Sequence, residues 1–242
     1  MSFLVVIPVR LNSSRLPKKP LLDIGGKSLV RRVYEKASLS KADEVIVATD
    51  HESIVRECKS FGARTLLTQN YHKTGTDRIA EAVSILKLKE DRVIVNVQGD
   101  EPFLDPSDIN SLGKLVYDKE EVDLATLYSK LENHDENNPN VVKIWLDNKQ
   151  VISFSRKNDF ITTKDVIKGK HLGLYAFRVS FLKEFIAMDR TPNEIKEELE
   201  QLRALDNRKK IIALKSKRDS YLGIDTSLDL DLARSRIMHD KD

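Results

Sequence analysis

Three stretches in the first hundred residues constrain the fold most: "FLVVIP" (3–8), "EVIVAT" (44–49) and "RVIVNVQGDEP" (92–102). Each carries an apolar, largely β-branched run of strand length, the pattern of a strand buried on both faces. Between them the period changes to that of a helix. "SLVRRVYEKA" (28–37) spaces Leu29, Val33 and Ala37 along one face, "HESIVRECKSFG" (51–62) closes at Gly62, and "TDRIAEAVSILK" (76–87) aligns Ile79, Val83 and Leu86. "ARTLLT" (63–68) adds a short strand. The alternation predicts an α/β fold with a mostly parallel central sheet flanked by helices. In such sheets ligands bind beyond the carboxyl ends of the strands.

The second half has a mixed pattern. Strands are expected at 123–131, 141–147, 151–156, 171–177 and 210–215, with "DNKQ" (147–150) as a hairpin turn. Helices are expected at 193–205 and 227–238, and 158–170 reads as a loop. No repeat, low-complexity tract or linker divides the 242 residues, so one domain is expected over 1–242.

Charge narrows the function classes. The 41 basic residues nearly balance 38 acidic ones, and a net charge of +3 argues little for nucleic acid. Cys58 is the only cysteine, which excludes an intrachain disulfide and a thiolate zinc cluster and fits a reducing cytosol. "FLVVIPV" is too short and wrongly flanked for a signal peptide, and no apolar stretch approaches the length of a membrane span. A cytoplasmic protein without membrane or nucleic-acid partners is expected.

Directly after the first strand the chain places Arg10, Ser13, Ser14, Arg15, Lys18 and Lys19 among prolines. Cations and hydroxyls at a strand's carboxyl end suit a polyphosphate, while a solvated basic loop is the plainer alternative. Neither a G-x-G-x-x-G nor a G-x-x-x-x-G-K-[ST] fingerprint is present; "DIGGKS" reads as a turn before a helix capped by Ser28. "VNVQGDEP" ends a strand with Gln98, Gly99, Asp100 and Glu101, either a polar turn or a carboxylate site for Mg²⁺. Asp225 in "YLGIDTSLDL" is either a helix cap or a second such carboxylate.

Taken together, "IPVRLNSSRLPKKPLLDIGGKSLV", "VIVATDHE", "TGTDRIAE", "VIVNVQGDEP", "NPNVVKIWLD", "FSR", "HLGLYAF", "ELEQLRAL" and "GIDTSLDL" resemble the CMP-Kdo synthetases, the 3-deoxy-manno-octulosonate cytidylyltransferases. The pieces occur in family order from about Phe3 to about Leu230. The resemblance implies a nucleotide-diphosphosugar transferase-like fold, with roughly 1–120 binding nucleotide and roughly 121–242 serving sugar binding and dimerisation. It implies a homodimer that couples CTP to a 2-keto-3-deoxy sugar acid with Mg²⁺, giving CMP-sugar and pyrophosphate for lipopolysaccharide biosynthesis. Carried onto this chain, Arg10, Arg15 and Lys19 hold the triphosphate with Ser13 and Gln98 nearby; Thr74, Gly75 and Arg78 seat cytidine. Asp100 and Asp225 are the metal carboxylates, and Gln98, Arg156, His171, Tyr175, Glu200 and Gln201 face the sugar.

One departure bears on the substrate. The family follows "FSR" with an A-x-I-P-W segment; here "KNDFITTKDVIKGK" takes its place in a shorter loop. Kdo and 8-amino-3,8-dideoxy-manno-octulosonate therefore both stand as the sugar, with Asp159 or a nearby acid as a partner for an ammonium. A CMP-sialic acid synthetase fits the motif order less well. A silent nucleotide-binding protein on the same fold is the reading from another class.

Overall fold

The first apolar run becomes β1 (Phe3–Val9), and its alternate residues enter two separate cores. Phe3, Val5 and Ile7 pack into one cluster with Leu29, Val33 and Ile109, while Leu4 and Val6 pack into the other with Ile79 and Val83. A strand buried on both faces must lie inside a sheet covered by helices on each side. The computed structural model describes residues 1–13, 15–158, 160, 165–218 and 221–239. It places β1 between β2 (Glu44–Thr49) and β4 (Val93–Asn96), both parallel to it, with β3 (Arg64–Leu67) beyond β2. Helices α1 (Leu29–Ser38), α2 (Glu52–Ser60) and α3 (Gly75–Ile85) connect these strands. Cys58 is fully buried on α2, where loss of water and the Glu57 charge push its thiol up to about 12.

The strand order β3-β2-β1-β4 reverses direction between β1 and β4. Pairing of these two strands ends at Val6↔Asn96, whereas β1 stays with β2 to Val9↔Thr49. Past Val6, β1 thus has a ladder partner on one side only, which is where a strand tolerates Pro8. The strand continues through Pro8 to Val9, one residue past the apolar run read from sequence, and the gap between the two strand ends opens a crevice.

After α4 (Pro106–Asp118), β5 (Leu124–Ser129), β6 (Lys143–Asp147), β7 (Gln150–Ser155), β8 (Val166–Arg178) and β9 (Ile211–Lys215) continue the sheet. The long β8 runs antiparallel to β4, β5 and β6. The order β8-β5-β9-β7-β6 returns to β8 through the β6–β8 pairing, so these five strands close on themselves. Even-numbered Leu172, Leu174 and Ala176 of β8 face one core, and Tyr175 and Phe177 face the other.

Three expectations for the second half change. The 158–170 loop is shorter, because β8 begins at Val166. Helices α4 and α5 (Val179–Ala187) were not expected. The helix expected at 193–205 is two, α6 (Pro192–Glu197) and α7 (Gln201–Asp206), with Glu198 at φ 53° between them. That fold-back lets Glu194 accept from the Arg203 guanidinium at 2.7 and 2.8 Å, in a pair excluded from water. The last helix is α8 (Ser227–His239).

Helix α4 lies so close to β1 that a Cβ on Gly113 would sit 2.8 to 3.1 Å from three ring atoms of the fully buried Phe3. Alanine in place of glycine normally strengthens a helix. Here the clash reverses the sign: Gly113→Ala is expected to lower unfolding free energy by about 1–3 kcal/mol, measured by urea denaturation. An unchanged or raised midpoint contradicts this packing.

Candidate active site

The crevice beyond β1 and β4 is a cleft of about 410 Å³. Its lining includes Pro8, Arg10, Ser13, Arg15 and Lys19 from the first strand and loop, and Gln98, Gly99 and Asp100 from the end of β4. Asp225, just ahead of α8, also borders it. The close approach of the two strand ends requires Gly99, since a Cβ there would meet Val9 Cγ2 at 2.9 Å and the Pro8 carbonyl oxygen at 3.1 Å.

At the floor of the cleft the Lys19 ammonium lies 2.8 Å from Asp100 Oδ2 and 3.0 Å from Asp225 Oδ1. Burial works against the ammonium, but the two carboxylates outweigh it and raise its pKa. Arg15 reaches Asp225 Oδ1 at 3.1 Å from a more exposed position. Asp225 is free to do this because it does not cap α8. Thr226 does, accepting from Asp229 N–H at 3.2 Å while its own N–H donates to Asp229 Oδ2 at 2.8 Å. Beside the pair, Glu101 is half-buried, and its Oε2 is shut off from solvent with no hydrogen-bond partner among the described residues. Loss of water, then repulsion from Asp100 and Asp225, pushes this carboxyl up to about 8.

The opposite wall is the start of α3, capped by Thr74 and Asp77 in a reciprocal box. Thr74 and Gly75 line the cleft, so the positive end of the helix dipole borders it. Arg78 is 3% exposed and already occupied: it donates to Thr68 Oγ1 at 2.5 Å and to Asp50 Oδ2 at 3.0 Å. Asp50 Oδ1 in turn accepts from the Leu11 N–H at 3.1 Å. Arg78 therefore borders the cleft, and its polar contacts brace the basic loop through Asp50. His72 and Lys73 also line the cleft and were not singled out from sequence, although they directly precede Thr74. Ser14 and Asp159 lie outside the described residues.

The residues expected to face the sugar divide. Gln98 lies in the cleft, and its Cγ is 4.0 Å from where a Cβ on Gly173 would stand. Tyr175, Glu200 and Gln201 meet Thr76 and Asn96 around a separate small cavity of about 40 Å³. Glu200 Oε2 accepts from Thr76 Oγ1 at 2.7 Å, joining this cavity to the start of α3. Burial raises the Glu200 pKa, against hydrogen bonds from Thr76 and Thr74. Two buried acceptors at that cavity, Asn96 Oδ1 and Glu200 Oε1, have no hydrogen-bond partner among the described residues, although the Arg203 guanidinium stands 3.9 Å from Glu200 Oε1. Asn96 is a further candidate that the strand pattern alone did not reveal. Arg156 lines neither cavity: its guanidinium donates to the Glu197 carbonyl at 2.9 Å and the Pro139 carbonyl at 3.1 Å.

His171 sits on β8 with its ring 5.0 Å from that of Phe154 and 5.6 Å from that of Tyr175. Thr126 Oγ1 donates its only proton to a backbone carbonyl, Leu174 O at 2.9 Å in the better geometry, so it accepts from His171 Nε2–H at 3.0 Å. Loss of water pushes the imidazole down to about 3. The ring is therefore neutral at pH 7, with Nδ1 an acceptor.

A basic loop after β1, two carboxylates from distant parts of the chain and a helix N-terminus meet around one cleft, an arrangement suited to a nucleotidyltransferase. Residues 4–211 match the family model described as cytidylyltransferase. A 3-deoxy-manno-octulosonate cytidylyltransferase of Francisella tularensis subsp. tularensis (strain FSC 198) is 42% identical, covering 95% of this chain and 96% of its own. 3-Deoxy-manno-octulosonate cytidylyltransferase 2 of Actinobacillus pleuropneumoniae serotype 5b (strain L20) is 41% identical, covering 97% and 98%. The solved structure of a CMP:2-keto-3-deoxy-manno-octonic acid synthetase complexed with CTP superposes with a TM-score of 0.90 at 32% identity, covering 99% of both chains. The chain belongs to the 3-deoxy-manno-octulosonate cytidylyltransferase family.

The His171 environment has a consequence for stability. The free imidazole titrates near 6.5 and the folded one near 3, so as pH falls the unfolded chain takes up the proton first. This group's contribution is complete above pH 6.5 and is lost as pH falls toward 3. His171→Asn, which titrates in neither state, is expected to flatten the acid limb of a stability-versus-pH curve. Equal slopes for variant and wild type count against the buried neutral ring.

Proposed function

We propose that this chain couples CTP to a 3-deoxy-manno-octulosonate-type sugar acid, releasing pyrophosphate. The observation that carries the reading is the meeting of Asp100 and Asp225 on the Lys19 ammonium, at 2.8 and 3.0 Å, inside the cleft at the strand-order reversal. The anomeric hydroxyl of the sugar attacks the α-phosphorus of CTP and pyrophosphate departs. Such a transfer needs in-line placement and compensation of the charge that builds on the leaving oxygens. Arg10, Arg15 and Lys19 supply the cations, and the N-terminus of α3 adds its dipole. No covalent intermediate on the protein is required, consistent with a buried, unreactive Cys58.

Mg²⁺ belongs to the proposal. Two carboxylates that already share one cation are hard oxygen donors of the kind Mg²⁺ accepts alongside phosphate oxygens. Among the described residues no third acidic or histidine side chain completes a closed metal cage, which suits an ion held jointly by protein and nucleotide. Bound there by Asp100 and Asp225, the ion would polarise the phosphoryl oxygens. Lys19 would then turn from the carboxylates to the phosphates.

In this reading the sugar would lie across Gln98 and the neighbouring cavity of Tyr175, Glu200 and Gln201; His171, which lines neither cavity, would support Tyr175 from the side. Arg156 serves the sugar carboxylate only if its guanidinium leaves the Glu197 and Pro139 carbonyls. The 8-amino sugar is the second reading, favoured by the absence of A-x-I-P-W after Arg156. A homodimer built on the second half is proposed too; Phe160, Ile167 and Ile195 expose apolar surface there.

Asp100→Asn and Asp225→Asn are each expected to lower turnover by about 100-fold or more, with melting temperature near that of wild type. Pyrophosphate release with CTP and Mg²⁺, run in parallel on Kdo, its 8-amino analogue and sialic acid, checks the reaction and ranks the sugars. Turnover with sialic acid alone sinks the reading; wild-type rates in either variant sink the metal role.

A further inference from the structure

Asp108, in the first turn of α4, is 1% exposed. All its side-chain hydrogen bonds among the described residues come from one short segment between β9 and α8. Its Oδ2 accepts from Ser216 Oγ at 2.5 Å and from the Tyr221 hydroxyl, and its Oδ1 faces the Lys217 N–H at 3.5 Å. Asp105, the cap of the same helix, pairs with Arg218 at 3.4 Å. Beyond Tyr221 the chain turns onto the other end of the same frame. The Ile224 N–H donates to the Asp100 carbonyl at 3.0 Å, and a Cβ on Gly223 would lie 3.2 Å from Glu101 Oε1. The next residue is Asp225.

The segment is thus pinned twice before it delivers its carboxylate. One pin is the backbone of Asp100 itself; the other is a buried carboxylate at the start of α4, a few residues further along. A buried carboxylate needs its lone pairs filled, and hydroxyl bonds to an ionised oxygen are stronger than neutral ones. The change Asp108→Asn leaves a single acceptor oxygen in place of two and removes that charge. Among the described residues none that lines the cleft hydrogen-bonds Asp108, so its effect on the chemistry passes through where it sets Asp225.

We propose that Asp108 is a positioning residue for the reaction: by tying Ser216 and Tyr221 to α4 it fixes Asp225 opposite Asp100 and so sets the affinity for the divalent cation. The inference rests on the proposed reading of Asp100 and Asp225 as the metal carboxylates. It differs from ordinary structural support in what it predicts. Support alone changes the melting temperature; positioning changes metal affinity.

The test uses the full chain with Tyr221→Phe, which deletes one hydroxyl at a half-buried site, and with Asp108→Asn. Mn²⁺ binding in the presence of CTP is followed by electron paramagnetic resonance, alongside CTP binding in EDTA and thermal melting. Half-saturating Mn²⁺ is expected to rise about three- to ten-fold in Tyr221→Phe and more in Asp108→Asn, as for groups that orient metal ligands. CTP binding in EDTA should stay at the wild-type value. Variants that melt earlier yet bind Mn²⁺ as tightly as wild type overturn the proposal and leave Asp108 a stability residue. A wild-type protein that binds no Mn²⁺ with CTP overturns the metal reading and this inference together. If Asp108→Asn does not fold, Tyr221→Phe alone decides.

Discussion

The ammonium of Lys19 between Asp100 and Asp225 is the contact on which the rest of the molecule turns. Two carboxylates held this close repel, and a partly buried cation between them is what makes the arrangement tolerable. Each group arrives from a different element: Lys19 from the loop after β1, Asp100 from the end of β4, Asp225 from the approach to α8. The parallel half of the sheet brings the first two side by side. The third depends on the capping pair Thr226 and Asp229, which removes Asp225 from helix duty, and on the tether to α4. The fold can be described as the scaffold that delivers three charges from three places to one point.

Much of this was legible because it rests on short-range physics. Runs such as "VVIPV" and "VIVNV" admit few alternatives to a doubly buried strand, and the polar residues that follow them mark where ligands bind. Ser28 caps the helix it precedes, as its place after the glycine turn indicates. What failed depended on contacts remote in sequence. "NEIKEELEQLRAL" has the composition of one helix, but Glu194 and Arg203 meet only if it breaks at Glu198. Helix α5 follows β8 with no glycine or proline to mark the change, so the strand's alternation hides its start.

The same limit applies to the site. The basic loop, Gln98, Asp100 and Asp225 were visible as residue types at strand ends, and the cleft gathers them. Asp50 and Asn96 were not, since a lone acid after β2 and an amide inside β4 gain meaning only from neighbours supplied by other strands. Residue type singled out Arg156 and His171 but carried no sign of the contacts they make in the fold. One gives its guanidinium to two carbonyls, and the other has its donor committed to Thr126.

Strand β8 borders β4 at one end and β6 at the other, and the direction of synthesis gives this an order. When β1 to β4 have left the ribosome, the outer edge of β4 is bare, because its neighbour has not yet been made. The row of unpaired amides and carbonyls stays open until the chain has grown past residue 178. The nascent first half is in that interval an apolar sheet with bare edges at both β3 and β4, the kind of species that holdase chaperones shield and that pairs with its own copies when crowded. The strand that later seals the β4 side of the sheet therefore also removes one of two open edges during the chain's birth, leaving only that of β3.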